Sequence, residues 1–120
     1  MEISFFYTSQ LTEAHWASYT KSFNHVFNKK FSIQKFKDKY SNNYKRESYH
    51  GFIMDGDAIV GGCSAIPWQY NYFGKDIIFA LFVDAFVHEE YRKNEFALYD
   101  AYNLVKDKLR EDSIPFIVSV

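Results

Sequence analysis

The chain has 120 residues, which suffices for one domain with a modest hydrophobic core. Thirteen Phe, ten Tyr and two Trp bring the aromatic content to 21%, so large apolar surfaces are available for so short a chain. Fourteen basic residues balance fifteen acidic ones, and the formal net charge of −1 gives no electrostatic case for nucleic acid or an anionic membrane as main partner.

The only cysteine, Cys63, excludes an internal disulfide and suits a reducing compartment. It lies in an apolar run, which favours a buried, unreactive thiol over a nucleophile. The first ten residues, MEISFFYTSQ, lack the basic start and the long apolar stretch of a secretory signal. No segment approaches the roughly 20 apolar residues of a membrane span. We therefore expect a cytoplasmic protein without a membrane partner.

The first part of the chain predicts one strand and two helices. Residues 2–8 are typical of a short strand. Helical spacing follows at 11–28, with Thr12 as N-cap, and again at 32–40, with Ser32 as N-cap. The apolar faces of these helices are formed by Trp16, Tyr19, Phe23, Val26 and Phe27 in the first, and by Ile33, Phe36 and Tyr40 in the second. A polar loop over 41–47 follows.

A hairpin of two strands is predicted next. Residues 48–54 and 58–66 have strand composition, and the Asp-Gly-Asp sequence at 55–57 is a strong turn signal between them. Gly61 and Gly62 lie inside the second strand. Glycines at such positions indicate a β-bulge or a close approach of two backbones.

The second half of the chain predicts the remaining sheet and one long helix. Pro67 indicates an edge position or a bend, because proline cannot donate to a strand ladder. A turn at Gly74-Lys75 precedes a long apolar strand, Asp76–Val87, and a helix follows from about Asn94 to Arg110. Residues 114–120 form the last strand. The order β-α-α-β-β-β-α-β over 1–120 predicts a single α/β domain whose final β-α-β unit is parallel and right-handed.

The turn between the long strand and the helix, VHEEYRKNEFA, resembles the phosphate-binding turn of the GNAT superfamily of acyl-CoA-dependent N-acetyltransferases. That turn reads Arg or Gln, two residues, Gly, one residue, and Gly or Ala, and it begins five residues after a valine. The matching positions here are Val87, His88, Tyr91, Arg92 and Ala97. Ile66-Pro67 and Asp84, three residues before the valine, resemble a bacterial subgroup. The resemblance covers nearly the whole chain in layout and is specific over residues 59–110.

The resemblance implies a GNAT-like mixed sheet, truncated on its C-terminal side, and transfer of an acetyl or other acyl group from coenzyme A to an amine. Acetyl-CoA would be the donor, and a small molecule or a protein the acceptor. Asp84 would assist the amine, while the backbone of Phe86 and Val87 would contact the pantetheine or the thioester. The pyrophosphate would be held by the turn formed by Arg92, Lys93, Asn94, Glu95, Phe96 and Ala97.

Elementary chemistry gives such a turn its binding capacity. A helix N-terminus exposes unpaired N–H groups and the positive end of the helix dipole, and an adjacent arginine adds a cation for a pyrophosphate. A bulged strand that splays from its parallel neighbour leaves N–H and C=O groups for a pantetheine amide, and one N–H can stabilise the thioester oxyanion. Strand 76–87 would be the bulged strand and 115–120 its neighbour.

Two features depart from the family pattern and support an alternative function. Glu95 replaces the central glycine of the turn, and a carboxylate about 4 Å from a phosphate oxygen costs ~1 kcal/mol in water and ~4 kcal/mol at a surface-like dielectric. Glu95 could also be an ordinary helix-start acid that occupies the anion site itself. The chain ends at Val120, where the family continues into another helix and strands. The alternative is a non-catalytic GNAT-like binding or dimerisation module.

Histidine spacing argues against a metal site. His50 and His88 are lone histidines at strand ends, without a second histidine or a carboxylate at ligand spacing. His15 and His25 lie ten residues apart and share roughly one helix face, which is an equally weak signal. No metal is therefore expected.

Three further features have both a structural and a functional interpretation. Asp84 interrupts an apolar strand, where a charge requires either a catalytic use or a partner on a neighbouring strand or loop. Trp68, Tyr70 and Tyr72 alternate at strand period, and we expect them to pack under the first two helices rather than to line an acceptor pocket. The final strand, PFIVSV, is apolar on both faces, so we expect a homo-oligomer that buries this edge.

Overall fold

A computed structural model describes residues 1–93 and 96–119 of the chain. Within these residues there are five strands and three helices, in the predicted order. The strands are β1 (Glu2–Tyr7), β2 (Tyr49–Asp55), β3 (Ala58–Tyr72), β4 (Lys75–Val87) and β5 (Ile117–Ser119). The helices are α1 (Glu13–Phe27), α2 (Ile33–Ser41) and α3 (Ala97–Glu111). Short 3₁₀ turns cover Thr8–Gln10 and Glu89–Tyr91.

The strands form one mixed sheet in the order β1-β2-β3-β4-β5. All neighbours are antiparallel except β4 and β5, which are parallel and are joined through α3. The predicted α/β class, element order and parallel β-α-β unit are therefore confirmed. The sheet is parallel only where a helix crosses over, because parallel strands cannot be joined by a tight turn.

Each face of the sheet carries its own core. On the face covered by α1 and α2, the ring of Tyr19 lies 5.2 to 6.0 Å from five other aromatic rings, those of Phe23, Phe36, Tyr40, Phe52 and Phe86. On the other face, α3 packs its buried residues Ala97, Ala101, Val105 and Leu109 against β2 and β3. The residues predicted for the apolar faces of α1 and α2 lie in or against the core beneath these helices, except Phe27, which is 40% exposed.

The described part of α3 begins at Ala97, three residues later than the predicted start at Asn94. Asn94 and Glu95 lie outside the described residues. The helix ends at Glu111, one residue beyond the predicted Arg110. None of the helices described between residues 1 and 119 is both long enough and apolar enough to cross a bilayer.

The two adjacent glycines of β3 lie at a bulge and a close backbone approach, as predicted. The β2–β3 register shifts next to Gly61, because Ile53 pairs with Gly61 and Met54 with Ile59, which leaves Val60 as the extra residue of β3. Gly62 has φ +145°, and a Cβ atom there would lie 2.3 Å from the carbonyl oxygen of Gly51. A Cβ atom at Gly61 would lie 2.5 Å from the carbonyl oxygen of Phe86. Only glycine lets three strands approach in this way.

Beyond Pro67 only β3 and β4 continue the described sheet, as a hairpin. The last β2–β3 pair joins Tyr49 to Ala65, so Pro67 faces no β2 residue and lies at a local edge, as predicted. Trp68, Tyr70 and Tyr72 are 43%, 58% and 54% exposed. The expectation that they pack under the first two helices is wrong. The side chains of β3 are buried up to Pro67, and those from Trp68 onwards are exposed.

His50, the second residue of β2, predicts a specific pH dependence of stability. Its ring is buried between Thr8 Oγ1, 2.8 Å from Nε2, and Ser64 Oγ, 2.7 Å from Nδ1, and faces the Tyr40 ring. Burial lowers the pKa of His50 to about 3. The stability contribution is therefore complete above the unfolded pKa of about 6.5 and is lost as the pH falls below it.

We expect His50 alone to lower the free energy of unfolding by about 2 kcal/mol between pH 7 and pH 5, because only the unfolded chain takes up the proton in that range. Urea unfolding at several pH values measures this change. His50→Gln retains a hydrogen-bonding side chain that does not titrate, so its pH dependence should be flatter by the same amount. Equal slopes for parent and variant would contradict the assignment.

Candidate functional site

The candidate site lies where β4 separates from β5. Within the part of the chain that the structure describes, these strands pair only through Ala80–Phe82 and Ile117–Ser119. Among the described residues, the following part of β4, up to Val87, pairs with β3 alone. An open cavity of about 450 Å³ begins at this point and is lined by Lys39, Phe82, Val83, Asp84, Ala85 and Ser119. The cavity therefore lies beside an unpaired strand edge.

A bulge in β4 sets the direction of the Asp84 side chain. Gly62 pairs with Phe86 and Ser64 with Val83, so Asp84 and Ala85 together face Cys63. Asp84 has φ +56°, a left-handed conformation that aspartate tolerates better than most residues. Bulges bend a strand and re-aim a side chain. The prediction that strand 76–87 is bulged is thus confirmed, and Asp84 occupies the bulge.

Asp84 has two partners, and both come from α2. Its Oδ2 lies 2.5 Å from the Tyr40 hydroxyl, which donates to it, and 2.7 Å from Lys39 Nζ. The side chain is only 12% exposed. The negative charge of the carboxylate is therefore balanced by these partners, yet the carboxylate borders the open cavity. The alternative interpretation of Asp84 named a partner on a strand or a loop, whereas the structure supplies one on a helix.

Tyr40 continues the network into the core. Its oxygen lies 2.5 Å from the hydroxyl of Tyr19. Burial raises the pKa of both tyrosines well above the usual value, so both remain protonated. Because Tyr40 has one hydroxyl proton and donates it to Asp84, Tyr19 must donate to Tyr40. Asp84 is thus held from inside the aromatic core of the α1/α2 face.

Sequence reasoning missed Lys39 and the second role of Tyr40. Tyr40 was recognised as a residue of the apolar helix face, and its ring is indeed buried. Nothing local indicates that its hydroxyl reaches a residue 44 positions later. The one available signal was the unexplained charge of Asp84 in an apolar strand, which requires a partner somewhere.

The backbone of Val87 faces the open side of β4. The His88 N–H donates to the carbonyl of Val60 in β3 at 2.8 Å. Since successive residues of a strand alternate in direction, the N–H and C=O of Val87 point away from β3 and those of Phe86 point towards it. The Val87 carbonyl accepts a hydrogen bond from Arg92 Nε at 2.9 Å, whereas the Phe86 ring is buried under α1.

The predicted phosphate turn is described in part. Arg92 and Lys93 are exposed, and among the described residues the guanidinium of Arg92 uses one of its N–H donors, for the bond to Val87. Phe96 is 67% exposed and precedes α3, whose first residue, Ala97, is buried against the sheet. Asn94 and Glu95, the remaining predicted turn residues, lie outside the described residues.

Two other sequence predictions concern reactive side chains. Cys63 is buried, and burial raises the pKa of its thiol to about 12, which makes it a poor nucleophile, as expected. His88 is not a lone histidine, because the fold brings it to His25 and Glu89. The interpretation of His88 as a lone histidine is therefore wrong. The sequence could not show the cluster, because 64 residues separate His25 from Glu89 in the chain.

No protein-family model and no curated protein sequence matches this chain. Solved structures do resemble it. An aminoglycoside acetyltransferase from an uncultured soil metagenomic sample, in complex with trehalose, has a TM-score of 0.74 at 18% identity; the match covers 99% of this chain and 76% of that one. A GNAT family acetyltransferase from Staphylococcus aureus has a TM-score of 0.68 at 11% identity, with 100% and 87% covered.

A third similar structure is a predicted acetyltransferase with acetyl-CoA from Clostridium acetobutylicum. Its TM-score is 0.63 at 13% identity, and the match covers 99% of this chain and 80% of that one. The mixed five-stranded sheet with its three helices matches these acetyltransferase structures over nearly the whole chain. The chain therefore has the fold of the GNAT acetyltransferases.

Proposed function

We propose that this chain transfers an acetyl or other acyl group from coenzyme A to an amine. The observation that carries the proposal is the β4 bulge, which holds Asp84 at the edge of the cavity between β4 and β5. From the same strand edge, the backbone of Val87 faces outward and Arg92 follows. A fold by itself does not determine an activity; these groups and the likeness to acetyltransferases support acyl transfer together.

In this mechanism the amine attacks the thioester carbonyl directly. A C–N bond forms, the C–S bond breaks, and the electron pair leaves with the coenzyme A sulfur. Asp84 accepts the amine proton, directly or through water, while Tyr40 and Lys39 hold its carboxylate in place. The Val87 N–H is the donor for the thioester oxygen or a pantetheine amide. The Lys39 ammonium, beside the cavity, supplies positive charge for the departing thiolate.

The pyrophosphate would bind the turn formed by Arg92, Lys93, Asn94, Glu95, Phe96 and Ala97. Arg92 is anchored to the end of β4 by its bond to Val87 and is exposed, so its free N–H donors are available to an anion. The resemblance implies a backbone contact of Phe86 with the pantetheine or the thioester, but the Phe86 N–H and C=O point towards β3; its buried ring instead fixes the strand under α1. Glu95 opposes binding by its charge, as the sequence indicates.

Calorimetric titration of acetyl-CoA into the purified chain tests this proposal, and Arg92→Ala sharpens the test. Loss of a charged hydrogen bond should weaken binding by about 1–2 kcal/mol, roughly five- to thirtyfold in Kd. Arg110→Ala, an exposed arginine at the other end of α3, is the matched control and should bind as the parent does. Absence of saturable binding to the parent would refute the proposed function. Equal Kd values for all three proteins would refute the assignment of the turn at Arg92 as the pyrophosphate site.

The exposed aromatic face of the β3–β4 hairpin favours a second candidate function, a binding or dimerisation module without acyl transfer. Strand register places Trp68 opposite Phe79 and Tyr70 opposite Ile77, on one face with Tyr72. Contiguous apolar surface of this kind marks an interaction site. Sedimentation velocity at tens of micromolar distinguishes a homo-oligomer from a monomer, and calorimetry then separates an oligomeric enzyme from a module that does not bind coenzyme A.

A further inference from the structure

A second cluster of chemically reactive side chains lies at the far end of β4. His25 on the last turn of α1 meets His88 and Glu89, which follow β4 directly. His25 Nε2 lies 2.6 Å from Glu89 Oε1, and His88 Nδ1 lies 3.9 Å from Glu89 Oε2. The two imidazole rings stack at 4.5 Å with an interplanar angle of 9°. One ligand atom from each residue lies within 4.8 Å of the others.

The donor set is the one that zinc prefers. Zinc binds imidazole nitrogen and carboxylate oxygen at about 2.0–2.2 Å in tetrahedral geometry, which places neighbouring donors roughly 3.3 Å apart. The observed separations of 2.6 and 3.9 Å lie on either side of this value. His25 and Glu89 have side chains 51% and 52% exposed, so small rotations of these groups are unhindered. Two neutral imidazoles and one carboxylate carry a charge of −1 together. This charge balances half of the charge of a divalent cation.

The lone pair of His88 lies at Nδ1, where it accepts one backbone hydrogen bond. The Glu90 N–H donates to His88 Nδ1 at 3.2 Å, so Nδ1 carries the lone pair and Nε2 carries the proton of the neutral ring. This bond is at the long end of the normal range, and a metal ion would replace the N–H at Nδ1. The Tyr91 ring, 5.8 Å away at 80°, packs edge-on and fixes the ring plane.

Room for a fourth ligand lies beside the cluster. A cavity of about 370 Å³ opens between α1 and the end of β4, and its lining includes His25, His88 and the carboxylate-bearing residue Glu90. Three protein ligands and one open position are the arrangement of zinc sites that hold a water or a small ligand. Side chains from two separate elements therefore converge on one accessible point.

We propose that His25, His88 and Glu89 form a zinc-binding site that ties the end of α1 to the segment leading into Arg92. The proposal is independent of acyl transfer, because it invokes neither Asp84 nor the cavity beside β5. Its structural consequence is a second anchor for the start of the β4–α3 connection. Its chemical alternative is a plain His25–Glu89 ion pair with a stacked neighbour, which needs no metal.

Calorimetric titration of Zn²⁺ into the untagged chain, after dialysis against EDTA, tests the proposal. We expect one zinc per chain with a Kd on the order of micromolar or tighter. His25→Ala and Glu89→Gln should each weaken binding at least about tenfold. Asp107→Asn removes an exposed carboxylate on α3, outside the cluster and its cavity, and should bind as the parent does. Circular dichroism checks that the variants, altered at exposed positions, remain folded.

Cobalt gives a second readout that is specific for coordination. Co²⁺ in the parent should show the intense visible absorption of a four- or five-coordinate site, and Zn²⁺ should displace it. The same band should be absent from His25→Ala. Failure of Zn²⁺ to bind the parent at about 100 µM, or equal binding by all four proteins, would overturn the site in favour of the ion pair.

Discussion

Asp84→Asn is expected to lower acyl transfer by about 10²–10⁴-fold while leaving the affinity for acetyl-CoA nearly unchanged. The amide keeps an oxygen that accepts from Tyr40, so the hydrogen bond and the bulge survive. What disappears is the negative charge that accepts the amine proton and pairs with Lys39. Release of the coenzyme A thiol with a panel of amines measures turnover, and calorimetry measures affinity.

A purely structural Asp84 predicts the opposite pattern, in which the variant loses thermal stability and keeps its turnover. The ion pair with Lys39 is partly exposed and contributes about 0–1 kcal/mol, so the melting temperature should move little if the role is catalytic. Asp38→Asn is the matched control, since Asp38 is an exposed carboxylate on the same helix as Lys39 and bonds to Gln34. Unchanged turnover in Asp84→Asn would remove this residue from the mechanism.

Gly62→Ala is expected to lower the free energy of unfolding by about 2–5 kcal/mol, through backbone strain and overpacking together. Its φ of +145° is unfavourable for alanine, and the new methyl group would lie 2.3 Å from Gly51 O and 3.0 Å from Phe52 Cα. Both obstacles are backbone atoms of the neighbouring strand, so neither can move without shifting the sheet. Urea unfolding provides the measurement.

Gly56→Ala separates the two causes of this loss. Gly56 also has a positive φ, +60°, but a Cβ atom there would meet nothing within 4 Å. Its substitution should therefore cost only the conformational strain, about 1–2 kcal/mol. If Gly62→Ala lowers the free energy of unfolding no more than Gly56→Ala does, the close approach of β2 and β3 does not contribute to the loss. Gly62 pairs with Phe86 next to the bulge, so the variant should also disturb Asp84.

The sequence by itself determined the order of the elements and most of their bounds. Local signals sufficed, because periodicity, N-caps and turn residues act over a few neighbouring positions. Thr12 and Ser32 accept hydrogen bonds from the backbone N–H groups of His15 and Lys35, as N-caps do. The two glycines of β3 also predicted the bulge, since only a backbone requirement explains such a pair inside a strand. The turn from Val87 to Ala97 indicated the fold.

Only the tertiary structure decided which side chains meet. It brought Tyr40 to Asp84, 44 residues apart, and His25 to Glu89, 64 residues apart. It also left Trp68, Tyr70 and Tyr72 exposed, although their spacing fits a covered strand equally well. The reason is that periodicity specifies which face of an element a residue occupies, but not which element covers that face. The covering depends on strand lengths and on where each helix ends, and these are properties of the folded chain.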